Sequence, residues 1–142
     1  MRKSLFKTAF IIFLIAGCKK YPDGGNSMFM KSKMRGTYTL EKEIINGVDS
    51  TSEMKTLCGN SVRIWEDFDD FIAVEAGSRG QFIMSGDRTR VIYDMDTRYG
   101  SNPKLSIFRH SSELFYIKKF KRGQFWLQSD DGNLYIELKC KK

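Results

Sequence analysis

The sequence predicts an all-β fold: an antiparallel meander barrel of eight to ten strands, with one short helix after the first strand. Three observations carry this. From residue 36 onward, short apolar–polar alternations recur at intervals of about eight to twelve residues, separated by Gly, Asn, Asp and Ser turns. Hydrophobic residues make up 41% of the 142 and aromatics 13%, with only 2 prolines, which suits one packed domain. Helical spacing of apolar residues follows a capping pattern in a single place, residues 51–57. Closing the sheet on itself is preferred to an open sandwich because closure leaves no unpaired edge.

Residues 1–7 are basic, and residues 8–15 are apolar apart from Thr8. That run is well short of the ~20 residues a spanning helix needs, and small residues follow it, as in a secretory signal peptide. The end of the run, Leu14-Ile15-Ala16-Gly17-Cys18, resembles the lipobox of bacterial lipoprotein precursors. The resemblance implies cleavage between Gly17 and Cys18 and acylation of Cys18. The new terminus would carry several chains, enough for stable membrane anchoring. It also implies an extracytoplasmic location at the outer membrane, since Lys19 is not the aspartate that in some Gram-negative systems retains a lipoprotein at the inner membrane. Which face of that membrane it occupies stays open. The expected organisation is a signal peptide over 1–17, a lipidated cysteine with a flexible tether over 18–33, and the barrel over 34–142. The formal charge of +7 includes Arg2, Lys3 and Lys7; without them 21 bases face 17 acids, for +4. These bases are not gathered on one element, so no nucleic-acid partner is expected. The densest patch, Lys118, Lys119, Lys121 and Arg122, reads as a solvated hairpin end or as a site for an anionic partner.

The first strand, 37–45, alternates: Tyr38, Leu40 and Ile44 share one face, and Thr39, Glu41 and Glu43 the other. Asn46-Gly47 forms a turn, and Ser50-Thr51-Ser52-Glu53 fits a capping box for a helix over 51–57. Strands are expected at 61–66, 71–76, 80–85, 88–94, 104–109, 114–120, 124–129 and 133–139. In the last hairpin, Phe125 and Leu127 share a face with Leu134, Ile136 and Leu138.

No catalytic constellation is evident, and enzyme activity is not expected. His110 is the only histidine and cannot by itself furnish a zinc site or a triad. Asp69-Asp70 and Asp130-Asp131 lack the ligand spacing of a calcium loop and read as solubilising turns. No metal or cofactor is expected. With Cys18 lipidated, Cys58 and Cys140 remain as an even pair in an oxidising compartment, either bridged or as separate thiols. Tyr38, Leu40, Trp65, Phe82, Tyr93, Phe125 and Trp126 are candidates to line a ligand cavity, or else to fill the core.

Gly36-Thr37-Tyr38-Thr39-Leu40, Ile45-Asn46-Gly47-Val48-Asp49-Ser50-Thr51, Gly80-Gln81-Phe82-Ile83-Met84 and the closing hairpin from Phe125 to Lys139 together resemble the small lipocalin-like lipoproteins of Gram-negative bacteria. Tyr38 stands where lipocalins usually place a tryptophan. The resemblance spans about residues 34–139 and implies a meander barrel without a settled activity. The function expected from these readings is a monomeric, non-enzymatic, lipid-anchored envelope protein that binds a small apolar ligand or envelope component. The alternative is a protein-interaction module of the inhibitor or toxin-immunity type, with a filled barrel.

Overall fold

A computed structural model describes residues 21–25, 33–67, 70–96, 98, 100–108 and 114–141. The leader, Gly17, Cys18, Asp69 and His110 lie outside the described residues. The strands are β1 (Gly36–Ile45), β2 (Val48–Asp49), β3 (Ser61–Asp67), β4 (Asp70–Val74), β5 (Arg79–Met84), β6 (Arg90–Met95), β7 (Leu114–Lys121), β8 (Gln124–Ser129) and β9 (Leu134–Cys140). The α-helix α1 (Thr51–Cys58) follows the first hairpin, and a short 3-10 turn covers Pro103–Leu105. Every neighbouring pair is antiparallel, and β1 also pairs with β9 from Tyr38↔Cys140 to Ile45↔Leu134. Eight strands therefore close into a meander barrel, as the alternation and turn spacing predicted, with the two-residue β2 attached only to β1.

The interior follows the period-two rule for most strands. Val62 and Ile64 of β3, Phe82 of β5, Val91 and Tyr93 of β6, and Phe115 and Ile117 of β7 all point inward and are buried. The final hairpin matches its expected face, with Phe125, Leu127, Leu134, Ile136 and Leu138 completely buried. In β1 the expectation fails half-way along the strand. A bulge between Leu40 and Lys42 leaves Glu41 as the extra residue, and pairing resumes as Lys42↔Glu137 and Glu43↔Ile136. The shift by one residue exchanges the faces beyond it. Glu43, expected on the outside, is 0% exposed, while Ile44, expected inside, is only half-buried.

The helix forms where expected, and Met54 and Cys58 put its apolar side into the core. Its cap differs from the expected box. Ser50 makes no side-chain cap bond; instead the Asp49 carboxylate accepts from the Thr51 backbone N–H at 3.0 Å and the Thr51 hydroxyl at 2.6 Å. These bonds hold Asp49 below the usual carboxylate range.

Two further corrections concern segments around the barrel. Residues 104–108 do not form the expected strand: the 3-10 turn leads into a plug whose Ile107 and Phe108 are buried. The N–H groups of this segment bond outside any ladder, Leu105 to the Asn102 carbonyl and Ile107 to the Glu75 carboxylate, and Phe108 packs among the interior rings. Within the segment expected to be a flexible tether, residues 21–25 are docked. Among the described residues, Arg90↔Tyr116, Val91↔Phe115 and Ile92↔Leu114 pair β6 with β7, and β7 runs on toward Lys121 beyond the start of β6. The docked segment takes that edge, with Asp23 N–H donating to the Lys118 carbonyl at 2.8 Å and Phe120 N–H to the Gly24 carbonyl at 3.1 Å. Tyr21 is buried, and its hydroxyl donates to the Arg88 carbonyl at 2.8 Å.

Candidate functional site in the barrel mouth

Inward-pointing aromatics form a continuous ladder through the barrel. Tyr38 and Phe120 each contact Phe125, at ring separations of 6.2 and 5.7 Å. Phe125 lies 6.3 Å from Phe82, and Phe82 lies 5.2 Å from both Tyr93 and Phe108. Phe108 then meets Tyr93 at 4.5 Å and Phe115 at 5.8 Å. Most of these pairs are edge-on or tilted, the arrangement favoured by the ring quadrupole. The ladder is anchored at one end by the Tyr38 hydroxyl, which donates to the Met34 carbonyl at 3.0 Å. Burial raises the Tyr38 and Tyr93 hydroxyls well above their ordinary range, so both stay neutral hydrogen-bonding groups.

Of the seven candidate lining residues, five lie in this interior: Tyr38, Leu40, Phe82, Tyr93 and Phe125, each no more than 5% exposed. The two tryptophans do not. Trp65 is on the outer face of β3, where the Arg63 guanidinium lies 5.9 Å from its ring. Trp126 is on the outer face of β8, with Lys119 Nζ 3.8 Å above it and Tyr135 beside it at 6.5 Å. No disulfide joins Cys58 and Cys140; Cys58 is buried at the end of α1 and Cys140 is half-buried at the end of β9. Asp130-Asp131 serves as a turn, in which Asp131 accepts from the Ser129 hydroxyl and the Asn133 backbone.

The mouth beside the plug contains a buried polar cluster that sequence reading missed. Glu75 lies just beyond β4 and is 6% exposed. Its carboxylate accepts from Ile107 N–H at 2.8 Å and from the Ser106 hydroxyl at 3.0 Å, and Ser106 Oγ accepts in turn from Phe108 N–H at 3.1 Å. One acid thus fixes three consecutive plug residues. Burial pushes the Glu75 carboxyl up to about 7; the bonds from Ile107 and Ser106 oppose that rise. The Ser78 hydroxyl also favours the anion electrostatically from nearby. Among the described residues, however, neither Ser78 Oγ nor Tyr93 Oη meets hydrogen-bond geometry with a partner. Their vicinity is one buried polar spot among the described residues; another is the Glu43 carboxyl, turned inward by the bulge in β1. The signal available in the sequence was Pro103 followed by Ser106-Ile107-Phe108, and it is ambiguous without knowing where Glu75 sits.

Two grooves lie outside the barrel along β1 and β9. One, of about 730 Å³, is lined by Glu41, Asp49, Glu53 and Glu137, with Lys42 as its base. The other, of about 680 Å³, is lined by Arg122, Lys139 and Lys141 along with Glu41 and Cys140. Glu41, the bulge residue, borders both. Among the described residues, no helix is long and apolar enough to cross a membrane. Comparison with family models, curated proteins and solved structures finds no match to this chain, so what it does must be argued from the barrel, its plug and its surface.

Proposed function

We propose that this protein is a lipid-anchored, non-enzymatic binding module of the cell envelope that recognises its partner through its outer surface. The observation carrying this reading is the aromatic ladder. Rings in contact from Tyr38 to Phe115 occupy the interior that a ligand of a carrier barrel would need. Recognition then falls to the grooves, whose opposite charges on either side of Glu41 suit a protein partner with a dipolar face. This is the inhibitor or immunity type of module. The lipobox resemblance supplies the anchor and the outer-membrane location, and the closed meander supports the lipocalin-like resemblance at the level of architecture.

A second reading, binding of a small apolar ligand, rests on one observation: Phe108 enters the interior from a non-strand segment. Withdrawal of the plug would empty a site between Phe82, Tyr93 and Phe115. Native mass spectrometry of protein from its own host separates the two. The surface reading expects the acylated polypeptide alone, and a copurifying hydrophobic molecule in stoichiometric amount would overturn it. For the anchor, wild type is expected to incorporate radiolabelled palmitate and Cys18→Ser to lose it; label on Cys18→Ser would refute the lipobox.

A further inference from the structure

Large apolar side chains are exposed at Val48, Leu57, Ile83, Ile92 and Tyr116 among the described residues. Three of these five gather in one place. Ile83 of β5 pairs directly with Ile92 of β6, Ile92 pairs with the half-buried Leu114 of β7, and Tyr116 is next outward on β7. Cross-strand packing of this kind makes a contiguous apolar patch on the outer face, the kind of surface that marks an interaction or membrane site.

The margin of the patch is basic on one side. Arg90 is exposed and pairs with Tyr116, Arg88 lies in the turn before it, and Lys118, half-buried, is the extra residue of a bulge in β7 two positions after Tyr116. The opposite margin is marked by Asp94. An apolar centre with a tyrosine and a one-sided basic rim is the composition that settles at a bilayer interface, apolar side in and cations at anionic headgroups.

The route of the chain points the same way. The docked segment attaches at this basic rim, through Tyr21 to Arg88 and Asp23 to Lys118. Cys18 is three residues before Tyr21, a reach of at most ~10 Å for extended chain. A lipid on Cys18 would therefore hold the bilayer within that distance of Tyr21, at the basic rim of the patch.

We infer that the outer face of β5–β7, centred on Ile83, Ile92 and Tyr116, is the surface on which the barrel rests against an anionic phospholipid bilayer. This rests on the lipid-anchor reading proposed above. In the ring of eight strands, β5 and β6 stand opposite β9 and β1, so the same orientation turns both charged grooves away from the membrane, toward a partner.

The test is hydroxyl-radical footprinting of the purified acylated protein, read by peptide mass spectrometry. One sample is reconstituted in phosphatidylglycerol–phosphatidylethanolamine vesicles and the other is held in neutral detergent. Tyr116 oxidation is expected to fall several-fold on vesicles, while Trp65, on the opposite strand β3, is unchanged. Equal oxidation of Tyr116 in both samples, or equal protection of Trp65, overturns the inference. The double variant Ile83→Glu, Ile92→Glu, checked for native near-UV dichroism, is expected to restore Tyr116 oxidation and keep its palmitate label; persistent protection would also overturn it. Palmitate present on Cys18 with Tyr116 unprotected refutes this face alone. Absence of palmitate from the wild type refutes the anchor and this inference together.

Discussion

Glu75 makes a quantitative prediction about pH. Its ordinary carboxyl value of 4.5 is pushed up to about 7 in the fold, chiefly by burial. Below pH 4.5 the group is protonated in both folded and unfolded chains, and it imposes no penalty. Between 4.5 and 7 the folded state keeps a proton that the unfolded state has released, so stability falls as pH rises. Above 7 both states are ionised and the loss is complete, at about 3 kcal/mol. Between pH 5 and pH 8 the expected loss is about 2.5 kcal/mol, or about 10 °C in melting temperature for a domain of this size. Glu75→Gln isolates the effect. The amide oxygen can still accept from Ile107 N–H, and the amide nitrogen can donate to Ser106 Oγ, imitating the protonated acid. Urea melts of both proteins across this range are expected to show the wild type losing stability while the variant stays flatter by that amount. Parallel slopes for the two proteins would refute the reasoning, because the pH dependence would then arise elsewhere.

Three other expectations follow from close packing. Gly25→Ala would place a Cβ 1.9 Å from the Phe120 carbonyl oxygen at a φ of +93°, so residues 21–25 should detach; amide exchange at Phe120 is expected to quicken while the rest of the barrel stays protected. Gly80→Ala would place a Cβ 2.3 Å from the Tyr93 ring, which lies over the glycine, and should destabilise the fold by about 1–3 kcal/mol in denaturant melts. Phe108→Ala removes the ring shared by Phe82, Tyr93 and Phe115 and should destabilise by about 3–5 kcal/mol, with partial recovery on adding benzene. No recovery with benzene would mean that the plug collapses into the space.

The strand count and closure were legible because alternation and turn residues are local signals, and the barrel obeys them almost everywhere. The departures have separate causes. Alternation itself put Trp126 outside, since Phe125 and Leu127 flank it inside, and likewise Trp65 after Val62 and Ile64. Their candidacy as lining residues came from residue type, which carries no information about face. The exchange of Glu43 and Ile44 came from a bulge; Lys42 breaks the apolar face between Leu40 and Ile44, but a charge at one inward position does not say that an extra residue enters the ladder there. The plug misread as a strand has apolar spacing that fits either structure, and only Glu75, some thirty residues earlier, decides between them. Gly24-Gly25 looked like linker for the opposite of its actual reason: Gly25 lets the chain approach the Phe120 backbone more closely than any side chain would allow.

The short β6–β7 seam connects these features. A strand that outruns its partner exposes donors and acceptors, and in a barrel such a gap is both an aggregation edge and the weakest place to open. Here the gap is covered by residues 21–25, the part of the chain nearest the expected lipid. Pull on the anchor would therefore act on the seam and spare the grooves, which lie across the barrel along β1 and β9. The β1–β9 seam on that far side is paired along nearly its whole length. Under the lipid-anchored, surface-recognising reading proposed above, this division would serve a tethered module that must hold a recognition surface rigid: its compliant side would face the membrane and its most extensively bonded side the partner.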